Sequence, residues 1–268
     1  PAPLPSRKPA TMDEPHRQHV APQNPARMQP NYARYMSSIH FIGGEKGGVG
    51  KSLFARVLAQ YLIDHELPLA AFDSDQSHGS LLRYYADYTQ PIVPAKTDGL
   101  DRAVEAAAED GQLSVLIDLA AQTHGSLQAW LQSADVPGLA AELQIGLTYW
   151  HVMDAGHDSV SLLSRLIDEL DPRVRLVLVL NEIRGDQFEQ LQSSGVKARA
   201  EERGALALAM PRLPDNTVQR IDSHGASFWA AINPQDPNGS ALGLIERQRV
   251  KVWLQRLYAE IARVGVVG

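Results

Sequence analysis

Residues 39–52 read IHFIGGEKGGVGKS, an apolar run followed by a glycine-rich turn and a lysine-serine pair. The apolar run predicts a buried strand, and the amphipathic stretch from Gly50 to about Asp64 predicts a helix behind the turn. Phosphate oxygens need several converging backbone N–H groups, which glycine permits at close range and the positive end of a helix reinforces. The stretch therefore predicts a phosphate-binding loop between a strand and a helix.

Individual positions in this loop have separate predicted roles. Lys51 supplies a point charge to the outer phosphates, and the Ser52 hydroxyl is a ligand for Mg²⁺. The strict phosphate-loop pattern G-x-x-x-x-G-K-[ST] fails, because Glu45 stands where its first glycine belongs. The sequence fits a variant, K-G-G-x-G-K-[ST], that begins at Lys46. The predicted nucleotide-binding positions of the loop are Gly47, Gly48, Val49, Gly50, Lys51 and Ser52.

This variant resembles the deviant Walker A signature of the ParA/MinD family of partition and positioning ATPases. The resemblance covers roughly residues 38–265 and implies ATP and Mg²⁺ as ligands. In that family the extra lysine reaches across an ATP-bound dimer to the partner's phosphates. The resemblance therefore assigns a catalytic role to Lys46, beside Lys51, and the alternative for Lys46 is an ordinary solvated loop cation.

Two acidic segments also resemble that family. Residues 70–81, AAFDSDQSHGSL, are similar to its D-x-D segment, which implies that Asp75 orients or activates the attacking water and that Asp73 supports the metal. Residues 114–118, SVLID, look like a Walker B strand, which implies that Asp118 is a ligand of Mg²⁺. The alternatives are ordinary loop carboxylates and a strand-end aspartate that caps a turn.

The stretch after Asp118 departs from the family pattern. Relatives commonly have a proline- or glycine-containing turn that senses the γ-phosphate, whereas residues 119–125 read LAAQTHG, with Gln122 or Gly125 as candidate substitutes.

Further on, Asn181 ends the run VLVLN and resembles the asparagine that reads adenine, with a turn-forming role as the alternative. Pro211, in MPRLP, lies in a segment similar to the loop that covers the base.

Beyond the loop, short apolar runs alternate with amphipathic stretches, a pattern typical of βα units. We therefore expect an α/β fold of the P-loop NTPase type, with a mostly parallel sheet flanked by helices. Residues 1–36, rich in proline and polar groups, predict a flexible tail that serves as a tether, an appended extension or a docking peptide, and residues 37–268 are expected to form the ATPase domain. The predicted strands are 39–42, 69–72, 114–119, 147–153, 174–180 and 205–210.

Near the end of the chain, residues 242–264 predict an amphipathic helix with one apolar face. Arg249, Arg256 and Arg263 stand seven residues apart beside that face. A closing helix packed on the sheet, with a solvated basic edge, is the plainer interpretation. The alternatives are a patch for non-specific binding to DNA or to a membrane surface.

Composition narrows the class of protein. A chain of 268 residues with 44% hydrophobic residues can build one large domain, and the lack of cysteine excludes disulfides, thiolate zinc sites and cysteine nucleophiles. The sequence has neither a secretory signal pattern nor an apolar stretch of the ~18 residues typical of a spanning helix, so we expect a cytoplasmic protein. The formal net charge of −6 argues against a wholly basic, nucleic-acid-coating surface.

The motifs are compatible with three functions. The leading hypothesis is an ATP-driven switch that forms a nucleotide-dependent homodimer, hydrolyses ATP slowly and positions or segregates a cargo with a cargo or adaptor protein as partner. Residues 119–125 and Asn181 also resemble, loosely, the plasmid-transfer and stability branch. The alternatives are a metabolic or maturation enzyme on the same fold and a scaffold that binds ATP but hardly hydrolyses it.

Overall fold

A computed structural model describes residues 37–75, 79–93, 97–234 and 241–267. The predicted tail, residues 1–36, and residues 76–78 of the D-x-D stretch lie outside these ranges. Within them, seven strands form one sheet in the order β3-β2-β4-β1-β5-β6-β7, and each neighbouring pair is parallel. The strands are β1 (Ser38–Gly43), β2 (Leu69–Asp73), β3 (Thr89–Pro91), β4 (Ser114–Asp118), β5 (Gly146–Met153), β6 (Arg175–Asn181) and β7 (Leu206–Met210).

Helices cover both faces of this sheet. None of those in the described ranges is long and apolar enough to cross a membrane. They are α1 (Lys51–Asp64), α2 (Ser80–Tyr84), α3 (Thr97–Glu109), α4 (His124–Ser133), α5 (Val136–Glu142), α6 (His157–Glu169), α7 (Glu189–Ser193), α8 (Val196–Glu202), α9 (Asp215–Ser223), α10 (Phe228–Ile232) and α11 (Leu244–Val264).

The predicted α/β fold with a parallel sheet is confirmed. The six predicted strands are present, and their ends agree with the prediction to within one residue. The sequence pattern does not predict β3, because this strand has only three residues, Thr-Gln-Pro, and no apolar alternation. The predicted phosphate-loop helix and the predicted closing helix correspond to α1 and α11.

Alternation of side chains along β1 divides the core into two layers. Ile39 and Phe41 belong to the core layer under α3 to α8 on one face, whereas Ile42 belongs to the layer under α1, α2 and α9 to α11 on the other. All three are fully buried, as the period of two residues along a strand requires for a central strand covered on both faces.

Parallel pairing brings the carboxyl ends of all strands to one edge of the sheet. The glycine-rich loop follows β1, Asp73 and Asp118 end β2 and β4, and Asn181 ends β6. Ligands of open parallel sheets bind at this edge, so the fold assembles the predicted site residues where a nucleotide would be expected.

The closing helix α11 packs on β7 and α10, and the Trp253 indole donates a hydrogen bond to the Pro211 carbonyl at 2.6 Å. The predicted basic edge is exposed at Arg249, Arg256 and Arg263. Arg263 is engaged locally, because its guanidinium pairs with Glu260 at 2.7 Å.

Candidate functional site

The glycine-rich loop has the backbone geometry of an anion-binding concavity. Gly48 and Gly50 have φ angles of 74° and 94°, in the left-handed region that glycine adopts without strain. A Cβ atom at Gly50 would lie 2.3 Å from the Asn181 amide nitrogen, so this position also requires a residue without a side chain. Helix α1 begins directly afterwards, at Lys51. The loop and the helix end together form a cradle suited to phosphate.

The entry to the loop is equally tight. Gly43 is the last residue of β1, and a Cβ atom built there would lie 1.9 Å from the Tyr149 hydroxyl oxygen. Tyr149 is 2% exposed and comes from the adjacent strand β5, so its ring has no room to withdraw. The Tyr149 side chain therefore leaves no room for a side chain at the start of the loop.

Lys51 is held within the loop that it terminates. Its Nζ atom donates a hydrogen bond to the Lys46 carbonyl at 3.1 Å, and the residue is 8% exposed. Burial lowers the pKa of Lys51, and the carboxylates of Asp118, Asp75 and Glu45 offset part of that shift. The lysine therefore stands near three acidic side chains, whose negative charges favour its protonated form.

Asp118 is the last residue of β4, and its carboxylate is buried. It is 2% exposed, and no donor among the described residues makes a hydrogen bond to either of its oxygens. Burial raises the pKa of Asp118 to about 7, and repulsion from Asp73 adds to the rise. The Ser52 hydroxyl, which is near Asp118 without the geometry of a hydrogen bond, and the Lys51 charge oppose it. A buried carboxylate without partners is strongly destabilised unless it is protonated or meets a cation. Asp118 and Ser52 thus fit a divalent cation.

Asp73 pairs in register with Asp118 on the neighbouring strand. Unlike Asp118, its carboxylate accepts hydrogen bonds from the backbone. Its Oδ1 accepts the Asp75 N–H at 3.0 Å, and its Oδ2 accepts those of Leu81 and Leu82 at 2.9 and 3.2 Å. Burial raises the pKa of Asp73, and these hydrogen bonds moderate the rise. The predicted support of the metal by Asp73 stays a prediction, while in the structure this carboxylate holds the backbone of the D-x-D stretch and the start of α2.

Lys46, predicted to act across a dimer, contacts carboxylates of its own chain. Its Nζ lies 3.2 Å from Asp154 Oδ1 and 3.9 Å from Asp158 Oδ2, and only 18% of its side chain is exposed. The alternative of a fully solvated loop cation does not describe this contact. The contact of Lys46 with a second copy of the chain stays a prediction.

The predicted site residues do not include Asp154, which has no exposed side-chain surface. Its Oδ1 accepts hydrogen bonds from the Ser159 hydroxyl at 2.5 Å and the Gly156 N–H at 3.1 Å, besides Lys46. Arg184 Nε lies 3.0 Å from Oδ2 as an ion pair without the angle of a hydrogen bond. Burial works to raise the pKa of Asp154, but these donors outweigh it and lower the pKa. A signal existed, because Asp154 follows an apolar strand just as Asp118 ends one.

A mostly apolar cleft of about 330 Å³ adjoins the loop. Its lining includes Gly48, Gly50, Asn181 and Pro211, so the two residues predicted to contact adenine lie together there. The Asn181 amide is engaged, since its Nδ2 donates to the Val49 carbonyl at 2.7 Å and its Oδ1 accepts the Ile183 N–H at 3.2 Å. Asn181 therefore anchors the phosphate loop in this structure, and adenine recognition by it stays a prediction.

Comparisons with known proteins agree with this geometry. Residues 40–226 match the family described as the CobQ/CobB/MinD/ParA nucleotide binding domain. The chain is 28% identical to protein MobD of Acidithiobacillus ferrooxidans over 199 residues, covering 73% of this chain and 86% of MobD. It is 27% identical to protein TraL of Escherichia coli over 248 residues, covering 87% of this chain and all of TraL. The MinD cell division protein of Aquifex aeolicus superposes with a TM-score of 0.50 at 15% identity, covering 84% of this chain and 97% of that one, a likeness of fold.

Proposed function

This chain belongs to the CobQ/CobB/MinD/ParA nucleotide-binding domain family, and from that premise we propose that it is an ATP-dependent dimerisation switch. ATP binding favours a homodimer, slow hydrolysis to ADP and phosphate releases it, and the cycle positions or segregates a cargo. The observation that carries the proposal is the buried, unpartnered carboxylate of Asp118 beside Ser52 and Lys51. Such a group suits a cation delivered together with a nucleotide.

Different residues have proposed roles in nucleotide binding and in hydrolysis. The loop from Gly47 to Gly50 and the start of α1 bind the phosphates, and Lys51 adds a positive charge. Mg²⁺, held by Ser52 and Asp118, would neutralise charge on the phosphates. Asp75 orients the attacking water. These assignments rest on the family pattern and on the proximity of the Asp75 charge to Lys51 and Asp118.

Dimerisation would require Lys46 to exchange partners. In the single chain its Nζ is paired with Asp154, 3.2 Å away. In the proposed dimer the same ammonium group contacts the phosphates bound by the second copy, which offer more negative charge than one carboxylate. The proposal therefore links nucleotide binding to the release of an intramolecular ion pair.

The proposed partners are a second copy of the chain and a cargo or adaptor protein. The cargo class is a plasmid, a chromosome or a protein complex, in keeping with the MinD/ParA membership. The exposed arginines Arg249 and Arg256 on α11 offer a surface for DNA or for anionic lipid.

The test is the oligomeric mass of the wild type and of Lys46→Ala with Mg-ATP, with Mg-ADP and without nucleotide, together with phosphate release. We expect a dimer only with Mg-ATP, slow phosphate release, and loss of release in the variant. Lys197→Ala serves as the matched control, because Lys197 pairs with Glu201 on the surface of α8, away from the loop. A wild type that stays monomeric in Mg-ATP, or a variant that hydrolyses normally, would contradict the switch.

A second candidate, an ATP-binding scaffold with negligible hydrolysis, is favoured by one observation. The turn after Asp118 contains no proline or glycine between Leu119 and His124, and its left-handed position is occupied by Gln122, with φ of 65°. The same experiment separates the two candidates, since a scaffold would dimerise with Mg-ATP without releasing phosphate.

A further inference from the structure

The turn after Asp118 is held by the side chain of Ser74, the residue that follows β2. The Ala120 N–H donates a hydrogen bond to the Ser74 hydroxyl oxygen at 2.7 Å. Thr123 closes the turn from within, since its hydroxyl donates to the Ala120 carbonyl at 2.8 Å. Ala120 is therefore fixed through both its N–H and its carbonyl. This arrangement keeps a definite turn in a segment that lacks the usual proline or glycine.

Ser74 makes a second contact with the same strand end. Its backbone N–H donates to the Asp118 carbonyl at 3.0 Å, and the residue is 6% exposed. The backbone contact would persist with any residue at position 74, whereas the contact with Ala120 requires a hydroxyl. The Ser74 side chain thus adds one more link between β2 and β4, at the point where backbone pairing between them ends.

Ser74 also stands between the two carboxylates of the D-S-D stretch. Asp73 accepts the Asp75 N–H, so the backbone of this stretch is drawn together around Ser74. The charge of Asp75 acts on both Lys51 and Asp118. A displacement of the turn at Ala120 would consequently pull on Ser74 and shift its neighbour Asp75 relative to the phosphate loop.

We propose that Ser74 is a positioning residue that couples the turn after Asp118 to Asp75, so that both respond together to the γ-phosphate. The inference rests on the proposed ATPase function and deepens it. Ser74 acts through Ala120 and Asp75 and does not itself contact the nucleotide. From its place just after β2, Ser74 supplies the fixed turn geometry that the sequence of residues 119–125 does not supply by itself.

The experiment compares Ser74→Ala with Ser74→Thr, which keeps the hydroxyl. The matched control is Ser133→Ala, which removes a hydroxyl that donates to a backbone carbonyl at the far end of α4. For each protein, kcat and KM for phosphate release are measured, together with the affinities for ADP and for a non-hydrolysable ATP analogue and the melting temperature.

We expect Ser74→Ala to lower kcat about tenfold, equivalent to ~1.4 kcal/mol in the barrier. It should also reduce the preference for the ATP analogue over ADP, while ADP affinity stays within about twofold of the wild type. Ser74→Thr should restore most of kcat, and Ser133→Ala should change neither quantity. Unchanged kcat and nucleotide preference in Ser74→Ala, or a fall in kcat matched by falls in ADP affinity and melting temperature, would overturn the coupling role.

The failure of this inference differs from failure of the proposed function. A wild type that hydrolyses ATP and a Ser74→Ala variant that hydrolyses it equally would overturn only the role of Ser74. A wild type that neither hydrolyses ATP nor distinguishes the analogue from ADP would overturn both, because no γ-phosphate signal would remain to be coupled.

Discussion

Asp118 and Asp154 are both buried carboxylates at the ends of strands that flank β1, yet their surroundings are opposite. Asp154 accepts three hydrogen bonds and faces an additional arginine, whereas neither oxygen of Asp118 has a hydrogen-bond donor among the described residues. The pKa of Asp154 is accordingly lowered and that of Asp118 is raised to about 7. Burial works to raise both pKa values, but the donors around Asp154 outweigh it, whereas at Asp118 burial and the neighbouring Asp73 charge dominate.

The two carboxylates differ in whether the buried negative charge already has partners in the chain. Asp154 already has the positive charge of Lys46 and needs no ligand, so it stabilises the chain as it stands. Asp118 is destabilising until a proton or a cation arrives, so its placement favours ligand binding over stability. The phosphate loop places Lys46 beside Asp154, and Lys51 and Ser52 beside Asp118, so a nucleotide bound to the loop would act on both carboxylates.

The largest expected effect comes from Asp118→Asn. Removing the negative charge should lower Mg²⁺-dependent phosphate release by about 100-fold or more, since the amide is a far weaker ligand for a hard cation. Without Mg²⁺ the same change should leave the melting temperature equal to or above that of the wild type, because a buried unpaired charge has been removed. Phosphate release and thermal unfolding, each with and without Mg²⁺, check both parts. If the variant were less stable than the wild type without Mg²⁺, the Asp118 carboxylate would stabilise the chain as Asp154 does, and the prediction would be wrong.

Asp154→Asn should have the opposite effect on stability. The amide cannot balance the Lys46 charge and places an N–H₂ group toward Arg184, so we expect a loss of about 2–3 kcal/mol in the free energy of unfolding. Urea unfolding without nucleotide measures this loss, with Asp158→Asn as the control, because Asp158 lies 3.9 Å from Lys46 but is 77% exposed. Equal effects of the two substitutions would show that the contact at Asp154 is no stronger than a surface ion pair.

The smallest expected effect concerns pH. Asp118 has a raised pKa of about 7 against an ordinary 3.8, so between these values the folded chain keeps a proton that the unfolded chain releases. The metal-free wild type should therefore lose stability as pH rises through this window. Asp118→Asn should lack this component and therefore gain stability relative to the wild type as the pH rises from about 5 to about 8. Urea unfolding in the absence of Mg²⁺ at several pH values provides the measurement, and parallel curves would contradict the assignment.

The sequence predicted the parts of the site that are local in the chain. The glycines around Lys51 and the apolar run before Asp118 are contiguous patterns, and the same local periodicity predicted six strands. Contacts between distant segments were not accessible in this way. The pairing of Lys46 with Asp154 spans 108 residues, that of Asn181 with Val49 spans 132, and that of Ser74 with Ala120 spans 46. Each depends on how parallel strands are ordered in the sheet, which side-chain periodicity does not encode.

The tight contact between Gly43 and Tyr149 has a consequence for evolution. A Cβ atom at position 43 would come within 2.2 Å of the Tyr149 ring carbon that bears the hydroxyl, so a side chain at 43 and tyrosine at 149 exclude each other. Position 43 can gain a side chain only if the residue at position 149 becomes smaller. Among homologous chains that keep this sheet, we expect residues at position 43 larger than glycine to occur together with a smaller residue at 149, a covariation that an alignment of such chains would reveal.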